Sequence, residues 1–173
     1  TGTTVTGLAG NTTYYIWVRS NCGSTYGTWF AIPTTTVKTV CPPIPVPPVY
    51  TIDFEGSLSI PTCTSTNSVS SGVNTLAGNN YFFNSSTNTW FFTSPLTLTP
   101  GLIYRVSYKY ANNTNGSATT VQAYYGTSDF GVSPAVTTTL LSTVTTSSNT
   151  YDTSRSYFSP SGSGPYYIGI KLQ

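Results

Sequence analysis

Four carboxylates (Asp53, Glu55, Asp129 and Asp152) and no histidine make up the acid–base inventory of this 173-residue chain. Without histidine, the usual general base, the usual partner of a nucleophilic serine or cysteine, and the commonest zinc ligand are all missing. Asp53 and Glu55 stand two apart in "TIDFEG", and on a strand they would share a face about 6–7 Å apart. A glycosidase needs two carboxylates flanking its sugar at ~5 Å or ~6.5–9.5 Å, but adjacent acids on one face are more often a metal or turn feature. Calcium takes six to eight hard oxygens, which two carboxylates can begin and backbone or Asn carbonyls can fill. Asp53 and Glu55 are therefore the expected metal ligands, with Ca2+ as the cofactor; the alternative is that Glu55 hydrogen-bonds the Gly56 turn. No catalytic residue is assigned, and the segment is expected not to be an enzyme.

Aromatic rings offer a second chemistry, stacking on sugars, and the chain carries 14 Tyr, 8 Phe and 3 Trp. Tyr15, Trp17, Tyr124 and Tyr167 are the surface candidates for ligand binding. Tyr104, Tyr108 and Tyr110 fall on an apolar-patterned face, where rings are core more often than site. The sequons at Asn11, Asn84, Asn112 and Asn115 mark expected surface loops.

Only 6% of the residues are charged, against roughly 25% in ordinary soluble domains. With six Lys or Arg and four Asp or Glu, no basic patch or acidic tail is expected, which argues against nucleic acid and anionic membrane as partners. No apolar run approaches the ~20 residues of a membrane helix, so no membrane insertion is expected. A surface rich in Thr, Ser and Asn, with a few well-separated cysteines, suits an extracellular or cell-surface setting. The chain has no Met and opens on "TGTTVTG", as a processed protein or a segment of a longer one would.

These side chains must be positioned by strands. "TTYYIWVRS" places Tyr14, Ile16 and Val18 on one face and Tyr15, Trp17 and Arg19 on the other. "GLIYRVSYKY", "VQAYYG" and "PYYIGIKLQ" alternate in the same way, with "TPG", "NNTNGS" and "SGSGP" as turns. No segment has capped helical periodicity, and the fold class is all-β. Residues 1–38 offer about three strands, "TTVTGL", "TTYYIWVRS" and "TWFAIPTTTV". Five prolines between 42 and 48 then favour a semi-rigid spacer over 39–49. A second unit follows over 50–173.

The stretch "TVTGLAGNTTYYIWVRSNCGSTYGTWFAIPTTTV" resembles the last three strands of a fibronectin type III domain. Leu8, six residues before Tyr14, matches the tyrosine-corner arrangement, and Trp29 falls where such modules place an aromatic before the final strand. The resemblance implies a partial sandwich whose front part lies outside this sequence.

From Cys41 onward the chain resembles the cleaved-adhesin or choice-of-anchor jelly rolls, MAM-like sandwiches of secreted Bacteroidetes proteins. The matching residues are Cys41, the Asp53-Phe54-Glu55 triplet, Pro61, Cys63, Trp90-Phe91-Phe92, Gly126 and the closing Tyr166-Tyr167-Ile168-Gly169. The family's usual Trp after the second Cys is Thr64 here, and its further acidic strand is missing after Gln173, so the module is expected to be truncated. Members often carry structural Ca2+ near the acidic opening strand. The resemblance implies a Cys41–Cys63 disulfide, with Cys22 paired outside this stretch. The rival pairing, Cys22 with Cys41, would leave Cys63 free, and connectivity is not fixed by sequence.

The function the resemblance implies is adhesion or display by a non-catalytic segment of a large surface adhesin, as cargo of the type IX secretion system. Its expected partners are neighbouring domains of the same long chain, surface glycans or the secretion machinery. The alternative is an accessory or carbohydrate-binding module of a secreted hydrolase.

Overall fold

The computed structural model describes residues 4–10, 12–46, 49–55, 58–67, 71–76, 79–84, 88–112, 117–127 and 139–173. Asn11, Gly56, Asn115 and Asp129 lie outside the described residues, as does most of the "NNTNGS" turn. The described chain is all-β and divides into two compact units, Thr1–Pro42 and Pro43–Gln173.

In the first unit, β1 (Thr13–Val18) pairs antiparallel with β2 (Phe30–Lys38). The register shifts between Tyr15, opposite Thr36, and Trp17, opposite Ala31. The excess residues on β2 include Pro33, which cannot donate to a ladder and is at home in such an irregularity. The expected strand in "TTVTGL" does not form among residues 4–9. Gly7 sits at φ +76° and breaks the extended run, and the Ala9 N–H is donated to the Tyr14 hydroxyl at 2.8 Å rather than to a ladder. Thr39 secures the same corner: its N–H donates to the Thr12 carbonyl at 3.1 Å and its hydroxyl accepts from the Thr12 N–H at 3.0 Å.

The second unit is sandwich-like. Its larger sheet runs in the order β11 (Thr139–Thr146), β10 (Thr119–Gly126), β13 (Pro165–Leu172), β7 (Thr89–Phe92) and β4 (Ser65–Thr66). The short β8 (Leu96–Thr97) also pairs with β13, and β3 (Ile44–Pro45) pairs parallel with β8. The segment read as a spacer thus contributes a strand. Ile44 and Val46 donate their N–H groups to the carbonyls of Pro95 and Thr97 at 2.8 and 3.2 Å. Pro43 and Pro45, which have no N–H, fall at the intervening positions, so the prolines sit in an edge strand without costing a ladder bond.

Two further antiparallel pairs complete the unit: β5 (Ser71–Leu76) with β6 (Asn79–Asn84), and β9 (Tyr104–Tyr110) with β12 (Asp152–Phe158). Period-2 alternation places the core. Val121 and Ala123 on β10, Phe91 on β7 and Ile168 on β13 are buried on one face. Leu96, Leu98, Phe158 and Tyr166 form a cluster with Ile168, against which Tyr104, Val106, Tyr125 and Ile170 pack. The rings of Tyr125 and Phe158 stack at 4.3 Å.

On β9, Tyr104, Val106, Tyr108 and Tyr110 turn inward as their alternation predicts, and Arg105, Ser107 and Lys109 are exposed. On β12, Arg155 and Tyr157 are likewise exposed. Three of the chain's six cations therefore gather on one sheet face, and the expectation that so few charges build no basic patch does not hold.

Candidate functional site

The acidic segment is a turn, not a strand. No strand forms among residues 49–55, Phe54 adopts φ +58°, and the Asp53 carboxylate accepts a hydrogen bond from the Glu55 N–H at 3.2 Å. A non-glycine residue in the left-handed region costs free energy that its surroundings must recover. Here the Phe54 ring is anchored between Phe91, edge-on at 5.6 Å, and Phe82, stacked at 6.5 Å. The same-face placement of Asp53 and Glu55 expected from strand geometry is therefore lost.

Tyr50 to Phe54 and Ser59 to Thr62 line an open depression of about 370 Å³. Among the described residues, no group of three or more His, Cys, Asp or Glu surrounds Asp53 and Glu55. Calcium held there would draw most of its six to eight oxygens from backbone carbonyls and water. Glu55 and Tyr81 both act on Tyr151, whose hydroxyl is buried without a hydrogen-bond partner among the described residues. Burial pushes the Tyr151 phenol above its ordinary value of 10.0, and the charges of Tyr81 and Glu55 push it the same way; burial alone raises Tyr81.

Cys41 is disulfide-bonded to Cys63, and Cys22 is an exposed free thiol. The bond closes a loop of about 23 residues, which restricts the unfolded chain by roughly 3 kcal/mol on the loop-entropy model.

Of the four aromatic ligand candidates, Tyr15 and Trp17 belong to the first unit and are 76% and 58% exposed. Beyond them, the 20–27 turn is closed by the Cys22 N–H to the Thr25 carbonyl at 2.9 Å and the Gly27 N–H to the Ser20 carbonyl at 3.0 Å. It holds Arg19 over two rings, 3.9 Å from the centre of Tyr26 and 4.6 Å from that of Trp29. Arg19 lies in "YYIWVR" at the next position of the Tyr15, Trp17 face, so the row was readable from spacing. Its two ring partners were not, because they reach it through a turn.

Tyr124 and Tyr167 lie on the outer face of the larger sheet of the second unit. Phe92, Gly169 and Tyr124 align across β7, β13 and β10, as do Trp90, Lys171 and Gln122 one pair further along. Tyr167, opposite Gly126, is the diagonal neighbour of Tyr124 on that face. Trp90 stacks on Phe92 at 5.3 Å and 10°, meets Tyr124 at 4.8 Å, and lies 5.7 Å from the Lys171 ammonium.

Gly169 makes room for the rings. A Cβ there would stand 2.8 Å from Phe92 and 3.2 Å from Trp90. The Tyr124 hydroxyl donates to the Gln122 side-chain oxygen at 2.9 Å, and the Gln122 amide donates to the Thr143 hydroxyl at 3.3 Å. This face thus holds partly exposed rings beside ordered side-chain amide and hydroxyl groups. Sequence reasoning named Tyr124 and Tyr167 as candidates but not Gln122 and Lys171, which alternation puts on the same faces of the same strands, nor Trp90, which only strand register brings beside them.

Of the sequons, Asn112 is contradicted as a surface position. It is 3% exposed, and its side-chain amide donates to the carbonyls of Ser117 and Thr146. An asparagine so engaged cannot present its amide to a glycosyltransferase in the folded state. The Asn84 side chain lies outside what is described.

No family model matches the chain, and neither a curated protein nor a solved structure matches it. Among the described residues no helix is long and apolar enough to cross a membrane.

Proposed function

We propose that this chain is a non-catalytic segment of a secreted or cell-surface adhesin, serving adhesion and display, and that it travels as type IX secretion cargo. The observation that carries the adhesive reading is the outer face of the larger sheet, where Trp90 and Tyr124 meet at 4.8 Å beside the ordered Gln122 side chain. Flat rings flanked by fixed hydrogen-bonding groups suit the apolar and hydroxyl-bearing faces of a neutral sugar. The Cys41–Cys63 disulfide is compatible with an oxidising, extracellular setting. The fibronectin-like and jelly-roll resemblances belong to the same reading, with the tyrosine corner at Tyr14 supporting the first.

Titration calorimetry of the purified chain against a panel of neutral oligosaccharides tests it. Binding to at least one, lost in Trp90→Ala and Tyr124→Ala while the melting curve is kept, is the expected result. Absence of binding across the panel sinks the neutral-glycan reading of this face. The same face also fits a carbohydrate-binding accessory module of a secreted hydrolase, and a catalytic domain encoded in the same reading frame would favour that alternative.

A further inference from the structure

The outer face of the β9–β12 sheet is a grid. Along β9 the exposed residues run Arg105, Ser107, Lys109; along β12 the outward positions run Thr153, Arg155, Tyr157. The antiparallel register sets Arg105 opposite Tyr157, Arg155 opposite Ser107 and Lys109 opposite Thr153. Each cation therefore faces a hydroxyl across the ladder and has another hydroxyl two residues along its own strand. No two cations are directly opposed, which would be destabilising. Diagonal neighbours on such a face are about 7–8 Å apart, so Arg155 stands at that spacing from both Arg105 and Lys109.

No acid among the described residues compensates the charge on this face. Among the described residues Arg105, Lys109 and Arg155 make no ion pair. Asp152, the only acid on either strand, spends its carboxylate on the Tyr110 hydroxyl at 3.0 Å and the Thr153 N–H at 2.7 Å. Half of the chain's six cations thus project from one face of two short strands whose single acid, Asp152, alternates to the other face. A solvated sheet face needs polarity, but this chain supplies it almost everywhere else with Thr, Ser and Asn.

We infer that this face binds an acidic polysaccharide, a polymer carrying carboxylate or sulfate groups among hydroxyls. Guanidinium groups take carboxylate and sulfate oxygens in paired hydrogen bonds. The interleaved Ser107, Thr153 and Tyr157 hydroxyls meet sugar hydroxyls between the anions, and the Tyr157 ring, 64% exposed, offers a stacking surface. A nucleic acid or an anionic membrane would use the cations but leave this hydroxyl half of the grid without a purpose. The site lies apart from the Trp90–Tyr124 face and does not depend on it.

Affinity electrophoresis of the whole chain through gels containing polygalacturonate, dextran sulfate or neutral dextran tests the assignment. Retardation by at least one acidic polymer and not by dextran is expected, weakening as salt screens the charges. Each of Arg105→Gln, Lys109→Gln and Arg155→Gln should weaken binding roughly two- to fivefold, and the triple variant on the order of tenfold or more. Arg155→Lys, which keeps the charge but not the paired hydrogen bonds, should weaken binding less than Arg155→Gln, and Lys38→Gln, which removes one charge from the first unit, should keep all of it. Thermal melts of each variant separate lost binding from lost fold. The proposal is overturned if neither acidic polymer retards the protein or if the folded triple variant is retarded as before. It is also overturned if a single-stranded oligonucleotide or a phosphatidylserine vesicle binds more tightly through the same three residues. Loss of neutral-sugar binding in Trp90→Ala bears on the other face alone.

Discussion

The Tyr104 hydroxyl accepts a hydrogen bond from the Thr99 backbone N–H at 2.8 Å. The same distance and the same five-residue reach join Tyr14 to Ala9 in the other unit. Leu98 and Leu8 each stand six residues before the tyrosine, so "LTPGLIY" and "LAGNTTY" close one kind of corner twice. The two differ in burial. Leu98 is buried and Leu8 is 40% exposed, and Tyr104 alone also donates to the Val46 carbonyl, at 3.4 Å. Tyr104→Phe leaves two backbone groups without their partner and should cost about 1–2 kcal/mol; Tyr14→Phe leaves one and should cost about 1 kcal/mol or less. Denaturant unfolding of the two variants checks this. Equal costs would mean that the second hydrogen bond and the deeper burial contribute nothing.

Gly169 is the position where the outer aromatic face depends on an absent side chain. Phe92 is 2% exposed, and both it and Trp90 would have to retreat from a Cβ. Gly169→Ala should destabilise the protein by about 1–3 kcal/mol, as overpacking does, and should shift tryptophan fluorescence. A neutral substitution would show that the stacked pair can slide.

Much of this architecture was legible from period-2 alternation. The inward Tyr104, Val106 and Tyr108 and the outward Arg105 and Lys109 follow directly from "YRVSYK", because a strand's two faces are written on alternate letters. The Asp53–Glu55 turn was not legible, since "VYTIDFEG" has strand composition. What overrides that composition is the tertiary anchoring of the Phe54 ring, at 5.6 Å from Phe91. Nor could the basic face be found by counting charges. Arg155 lies 50 residues from Arg105, and only the β9–β12 register makes them neighbours. Tyr104's corner was hidden differently: its "TPG" reads as an ordinary turn, and the Thr99 N–H that closes it donates to a side-chain hydroxyl rather than to a backbone carbonyl.

The cysteines divide cleanly by reactivity. Cys22 is exposed and free, and Cys41 and Cys63 are bonded. Iodoacetamide without reductant should label one site, Cys22, and peptide mapping should recover a Cys41–Cys63 crosslink. Reduction should then lower stability by roughly 3 kcal/mol. A Cys22–Cys41 peptide would overturn the pairing.

Calcium at the 53–55 turn would be held by few charges and should bind weakly, in the millimolar range of loosely built sites. If Asp53 and Glu55 hold Ca2+ as the sequence leads one to expect, millimolar Ca2+ should raise the melting temperature relative to EDTA, and Asp53→Asn or Glu55→Gln should abolish the rise. An identical melt in Ca2+ and EDTA would remove calcium from this turn.

Three phenols with raised pKa values should make stability fall at alkaline pH. The hydrogen bond from Tyr110 to Asp152 raises the Tyr110 pKa, with desolvation and the Asp152 charge adding to it. Burial raises Tyr151 and Tyr81. A group whose folded pKa lies above its unfolded value binds its proton more tightly in the native state. The stability it contributes is complete below the unfolded value, 10.0 for these tyrosines, and is lost as pH rises through the folded value. Melting temperature should therefore fall above about pH 10. Tyr110→Phe, which cannot ionise, should flatten that fall while costing some stability at pH 7, where its hydrogen bond to Asp152 is intact. Tyr151→Phe should flatten it at no neutral-pH cost, because the hydroxyl it removes is buried without a partner among the described residues. Thermal melts of both variants from pH 7 to 11 distinguish the two, and a parallel fall in all three proteins would locate the alkaline transition elsewhere.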